Sequence, residues 1–358
     1  MTDSIKKYLS ETPETLTRLL NNSKDLFKEV SHQDIKRIIV TGSGTSYHSG
    51  AEMQQLMREK SGILVEAYYP FMITRDLFKF DTSKTLLVGV SQGGSSFTTL
   101  DAMKIAKEKG CKIATISADK PAYIDQVADY PLTIDIGREL AGPKTEGYYA
   151  TKLHLLLLAE YIGLVNGNLN VDQFNNDMND LKLTFDQFGS AYEKALKWVE
   201  DHKTKLASYN NMRIVGPASL YGDVLESTLK LVESCREPVS GFEFNEFIHG
   251  IYNAMNENTP VLFMDNGTEN RMSKMLQILG KWTDSLYVFD LSDANDGNHM
   301  GYGVKVPKQF ETFIFPLVFQ VMAGVVSKER GIDADIPKDP NFHMEIGSKK
   351  YNHTRGAS

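Results

Sequence analysis

The sequence predicts an α/β protein of two tandem units, each a parallel sheet flanked by helices. Three observations carry this. Apolar, β-branched runs alternate with helix-patterned runs between residues 37 and 117, as strands joined by covering helices do. The same order returns at an offset of 174 residues, setting Gly42 against Gly216, Tyr47 against Tyr221, Glu52 against Glu226 and Ser91 against Asp265. A helical run with one polar face, residues 171–205, lies between the two copies.

The elements follow in order. "RIIVTG" (37–42) is β-branched and ends in Gly, as a buried parallel strand does. "AEMQQLMREKSG" (51–62) predicts a helix and "ILVEAYY" (63–69) a strand. "KTLLVGVS" (84–91) is a strand, "TTLDAMKIAKEKG" (98–110) a helix closed by Gly110, and "CKIATIS" (111–117) a further strand. In the second copy, "MRIVGPASLYGDVLESTLKLVESC" (212–235) repeats strand and helix, and "VLFMDNGT" (261–268) the next strand. The most apolar tract, 310–326, is interrupted by Glu311, Pro316 and Gln320. It falls short of the ~20 apolar residues of a membrane span, so a buried helix is expected. The boundaries predicted are a helical segment over 1–36, a first unit over 37–195, and a second over 196–358 that includes the C-terminal tail.

Composition narrows the function. The 358 residues carry a net charge of −7, which argues against nucleic-acid or membrane partners. Two isolated cysteines, Cys111 and Cys235, supply neither a disulfide framework nor a zinc site. They read as small buried residues in a reducing compartment. The opening residues lack the apolar core of a signal peptide. A cytoplasmic protein without metal or other cofactor is expected.

Two stretches, "GSGTSYHSG" (42–50) and "SQGGSSFTT" (91–99), occupy strand-to-helix turns of one unit. Ligands of such sheets sit beyond the carboxyl ends of strands, where free N–H groups and the helix dipole attract anions. Glycine permits close approach, and serine and threonine add hydroxyl donors. One such turn would be accounted for by helix capping. Two in one unit point to a shared phosphate. Neither fits the P-loop or dinucleotide pattern. The second unit has "DNGTEN" at this place, whose acids would repel phosphate, so one anion site per chain is expected.

Within "LESTLKLVES" (225–234), Glu226, Lys230 and Glu233 are spaced i, i+4, i+7 and share one face of one helix. Such a stripe is often a solvated salt-bridging face. The interleaved Leu225, Leu229, Leu231 and Val232 suggest that this helix is buried on most sides, which makes its charges candidates for function. "FNEFIHG" then places Glu246 and His249 together.

These motifs resemble the sugar isomerase (SIS) domain family. The resemblance rests on "GTSYHSG", on "SQGGSS" where the family often has Ser-Gln-Ser-Gly-Glu-Thr, on "LESTLKLVE", and on "NEFIHG" against Gly-Glu-Leu-Lys-His-Gly. It covers nearly the whole chain as two SIS units of flavodoxin-like α/β sandwich. Nearest are the isomerase half of glucosamine-6-phosphate synthase and the fructosamine 6-phosphate deglycases.

By position, the resemblance implies Ser46, Ser91, Gln92 and Ser96 as phosphate ligands, with Thr45, Glu226 and Lys230 in the substrate site. It implies Glu233 as the base moving a proton between sugar carbons, and His249, 16 residues on, as the acid/base for ring opening. Lys349 resembles the family's C-terminal lysine, although Lys350 could fill that place. Gly93 and Ser95 depart from the family's serine and glutamate. No Cys stands at position two, which argues against ammonia supply by glutamine hydrolysis.

The implied activity is a deglycase releasing glucose 6-phosphate and an amino acid from a 6-phosphorylated sugar–amino-acid conjugate of the fructoselysine or glucoselysine type. The alternatives are an aldose–ketose isomerase, an amino-sugar phosphate deaminase and a non-catalytic phosphosugar sensor. The resemblance also implies a homodimer in which His249 enters the neighbour's site, and the stretch "SCREPVSGFEFNEFIH", broken by Pro238 and Gly241, is expected to be irregular and to reach out.

Overall fold

The computed structural model describes residues 3–79 and 81–351. They form two compact units. The first gathers residues 14–140, 146–179 and those from 336 on. The second gathers the residues up to 13, 141–145 and 180–335. The tail after 335 groups with the first unit because its residues 348–350 hydrogen-bond to residues 95–97.

Helices α1 (Asp3–Asn21) and α2 (Ser23–Ser31) precede the first sheet. That sheet is built from β1 (Arg37–Thr41), β2 (Leu64–Tyr68), β3 (Thr85–Val90), β4 (Lys112–Ser117) and β5 (Tyr130–Thr133). Helices α3 (Thr45–Ser61) and α4 (Phe97–Glu108) supply crossovers, and α5 (Glu146–Asn166) follows. The strand order is β2-β1-β3-β4-β5, all parallel. Because β1 has β2 on one side and β3 on the other, the chain reverses its winding between β1 and β3. Strand β3 is buried along its whole length, as a strand covered on both faces must be.

Helix α6 (Val171–Ser208) leads toward the second sheet, where β6 (Met212–Gly216), α7 (Tyr221–Cys235), β7 (Val239–Glu243), α8 (Phe244–Phe247), β8 (Val261–Met264), α9 (Met272–Leu279), β9 (Leu286–Asp290), β10 (His299–Gly301) and α10 (Leu317–Glu329) follow. The order β10-β9-β8-β6-β7 is that of the first sheet read from the other edge. The 174-residue repeat is therefore structural: α3 and α7 end at equivalent residues, and β3 and β8 are followed by Ser91 and Asp265. Trp198 on α6 stacks on His202 at 4.3 Å and donates from Nε1 to Gly297 O, while Trp282 stacks on Tyr252.

One expectation holds and one is corrected. Residues Lys308–Phe313 form a 3-10 helix that leads into α10, and together they are long and apolar enough to cross a membrane, but their apolar window is fully buried within the chain. The tract is longer than expected, and it is the buried helix the sequence predicted. The stretch between Glu233 and His249 is not irregular. Val239–Glu243 forms β7, paired with β6 so that Gly241 faces Ile214. A Cβ at Gly241 would press on Thr228 Oγ1 and Val224, so this glycine admits α7 rather than breaking the chain. Both cysteines are buried, and burial pushes the Cys111 thiol up to about 11.

In the first unit, Lys60 on α3 lies 2.5 Å from Asp177 and 3.9 Å from Glu160, both buried. Burial, with the Asp177 charge beside it, raises the Glu160 carboxyl from 4.5 to about 8. Its folded pKa exceeds the unfolded one, so folding takes up a proton and stability falls as pH rises between about 4.5 and 8. Glu160→Gln should abolish that slope. Thermal melts should show the variant gaining on the native chain from pH 5 to pH 8.5, by about 4 °C or more at the upper end. An unchanged difference across that range would refute the assignment.

Candidate functional site

The crevice where a doubly wound sheet reverses its strand order is where ligands bind. In the first unit it lies between the turns after β1 and β3. After β1 the chain turns through Gly42–Gly44. Gly44, the N-cap of α3, has φ +55° and ψ −129°, a conformation open only to glycine. Thr45 and Ser46 occupy the first turn of α3. A Cβ at Gly42 would stand 2.6 Å from Ser46 Cβ and 2.8 Å from Val90 O. The turn carrying Ser46 thus rests on the end of β3 that leads into Ser91. The missing side chain at Gly42 makes the two turns one surface.

The second turn, Ser91–Ser96, is tied by Gly94 N to Ser91 O and by Ser91 N to Ile116 O. Ser96 is the N-cap of α4: its Oγ accepts from Thr99 N at 3.3 Å and lies 3.0 Å from Thr99 Oγ1. Helix capping, the plainer reading of these serines, therefore occupies Ser96. The Gln92 amide donates from Nε2 to Glu139 Oε2 at 2.8 Å. Glu139 is buried beyond β5, and no motif or spacing in the sequence pointed to it.

The C-terminal segment crosses this turn. Lys349 forms an antiparallel bridge with Ser96, Phe97 N donates to Ser348 O, and Lys350 N to Ser95 O. The Lys350 ammonium lies over the Tyr123 ring at 5.8 Å. The backbone thus sets Lys349 beside the turn, with Lys350 turned to Tyr123.

The equivalent turn of the second unit is closed by its own side chains. Asp265 Oδ1 accepts from Gly267 N, and Asn266 Oδ1 accepts from Thr268 N and Thr268 Oγ1. Asn266 Nδ2 donates to Ser219 Oγ and to Glu311. Carboxylate and amide oxygens here take N–H groups that an anion would need.

The second unit carries a row of charged side chains on α7. On α7, Lys230 Nζ lies 3.3 Å from Glu226 Oε1 and 2.8 Å from Glu233 Oε2. Glu226 and Lys230 are buried, whereas the Glu233 side chain is 41 % exposed. Burial alone would pull the Lys230 ammonium down, but the charges of Glu226 and Glu233 outweigh it and hold its pKa above the ordinary value. The stripe thus divides its labour. Glu226 neutralises the buried lysine, and Glu233, held at the same ammonium, is the carboxylate left open to solvent.

His249 is exposed, in the turn after α8, with its backbone N–H bonded to Glu246 O. Glu243 caps α8, its Oε2 accepting from Asn245 N and Glu246 N. Among the described residues, no three His, Cys, Asp or Glu side chains gather where a metal ion could be held.

Residues 33–161 match the SIS domain model. Over 98% of this chain, the fold superimposes with a TM-score of 0.94 on all of a Clostridium difficile 630 protein named provisionally as a phosphosugar isomerase, at 43% identity. A Salmonella typhimurium LT2 protein, named provisionally as sugar-binding, shares 32% identity over 90% of this chain and 99% of its own, with a TM-score of 0.84. The glutamine–fructose-6-phosphate aminotransferase of Streptococcus agalactiae serotype V is 22% identical over 93% of this chain. The chain spans 57% of that relative's length.

Replacing Lys230 by Met should remove the cation against which the buried Glu226 rests and cost about 3–5 kcal/mol. Adding Glu226→Gln should return most of it. Denaturant melts of the two variants check this, and equal losses in both would show that the pair is not coupled.

Proposed function

The chain belongs to the SIS domain family, and on that premise we propose that it is a phosphosugar deglycase acting on a 6-phosphorylated sugar–amino-acid conjugate. The observation that carries the reading is Glu233: a partly exposed carboxylate hydrogen-bonded to a buried lysine on a helix of a phosphosugar-type fold. Such a group suits a base that must shift a proton without leaving its place.

In this reading the turns at Thr45, Ser46, Ser91 and Gln92 hold the 6-phosphate, and Ser96 shapes the second turn as its helix cap. His249 transfers the proton that opens the sugar ring, and Lys349 lies at the phosphate end. Glu233 removes the proton from the carbon bearing nitrogen, and a proton returns to the neighbouring carbonyl carbon. The ketoamine becomes the imine of the aldose. Water adds to the imine carbon, the C–N bond breaks with proton transfer to nitrogen, and amine and glucose 6-phosphate leave. A second reading, aldose–ketose isomerisation, uses the same base and is favoured by the name given to the Clostridium relative. The sequence reading adds a cytoplasmic location.

Purified protein offered 6-phosphorylated fructosamines of different amino acids should release glucose 6-phosphate. Glu233→Gln should lower kcat by about 10²–10⁴-fold. Equal turnover of an unphosphorylated conjugate, or interconversion of sugar phosphates without turnover of any conjugate, would reject the deglycase reading.

We further propose a homodimer with each site built from Glu233 of one chain and His249 of the other. Glu233→Gln and His249→Gln proteins, inactive separately, should regain roughly a quarter of native activity when unfolded together and refolded, since about half of randomly paired dimers carry one intact site. Mixed dimers without activity would place both residues of a site in one chain.

A further inference from the structure

Gln92 sits in a socket that its expected role in phosphate binding does not require. Its Nε2 donates to Glu139 Oε2 at 2.8 Å, and the same carboxylate oxygen accepts from Gly147 N at 3.0 Å. Glu139 is only 3% exposed. Gly147 lies in the first turn of α5, and a Cβ there would fall inside the Gln92 amide. Gln92 Oε1 is buried and has no hydrogen-bond partner among the described residues. Strand end, loop acid and helix start thus converge on one amide group.

A carboxylate oxygen can only accept, so it distinguishes the two ends of the amide, which are otherwise nearly equal in shape. Turning the amide over would place Oε1 against Glu139. The orphaned Oε1 shows that the group is oriented by Glu139, since an amide choosing freely would not leave a buried acceptor unbonded. Nε2 carries two hydrogens. With one committed to Glu139, the direction of the other is fixed.

We propose that Glu139 is a positioning residue: it locks the Gln92 amide so that the remaining Nε2 hydrogen is presented to the substrate's phosphate. This rests on the reading that the turns after β1 and β3 bind that phosphate, but not on the deglycase reaction. A negative charge beside an anion site is otherwise unfavourable, and its burial under a helix start and an amide donor directs it to those two N–H groups.

Titration calorimetry with glucose 6-phosphate, well below the melting temperature, tests this without turnover. Glu139→Ala should weaken binding about tenfold, and Glu139→Gln, whose oxygen can accept the same two bonds, should recover to within about threefold of the native value. In a Gln92→Ala background, Glu139→Ala should change affinity less than about twofold, because a residue acting through Gln92 has nothing left to act on. Gly147→Ala, which displaces the amide from the other side, should weaken binding as Glu139→Ala does.

A Glu139→Ala protein that melts earlier yet binds as tightly as the native chain overturns the inference and leaves a structural role alone. So does a full Glu139→Ala effect that persists without Gln92. Absence of binding in the native protein overturns this inference together with the phosphate reading. Binding without conjugate turnover overturns only the deglycase assignment.

Discussion

Each strand of the two sheets pairs parallel to its neighbours, and parallel sheets bury both faces. That constraint orders much else. It demands crossover helices, which return the chain to the same edge each time and collect the strand-to-helix turns at the carboxyl ends. It demands apolar cover, which α5 and α10 provide with side chains buried around nearly their whole circumference. With the winding reversed between β1 and β3, it also sets two turns side by side.

The duplication shows how one scaffold carries different side chains at equivalent places. In the first unit the turns present serine and glycine, and the helix after β1 has no acid in its first turn. In the second, the corresponding turn folds its Asp and Asn side chains back onto its own backbone, and the helix instead bears the Glu226–Lys230–Glu233 ladder. A fully desolvated lysine is costly unless balanced, and two carboxylates at i−4 and i+3 balance it while only one stays buried. The asymmetry of burial leaves one of two similar glutamates covered and the other open to solvent.

Much of this was legible in the chain. Strands β1, β3 and β4 announced themselves because β-branched runs ending in glycine or serine fit only a buried sheet, and the i, i+4, i+7 spacing located the ladder. Other parts were hidden for physical reasons. Helix α5 shows no 3.6-residue alternation because it has almost no solvent face. Strand β7 was masked by Pro238 and Gly241, which read as breakers, although Pro238 precedes the strand and Gly241 makes room for Val224 and Thr228. The capping by Ser96 could not be told from an anion contact, because a cap and an anion contact use the same residue. Glu139 was invisible, since a single loop acid has no period and its partner stands 47 positions away.

The placement of the tryptophans gives the molecule a built-in optical label. Both of its indoles, Trp198 and Trp282, belong to the second unit, and the first unit carries none. Emission excited at the red edge of the indole band therefore follows the half with the glutamate ladder, while the half with the glycine–serine turns contributes only tyrosine. Far-ultraviolet dichroism sums over both. Any separation between the two signals during denaturation would measure directly how far a duplicated fold melts as one body.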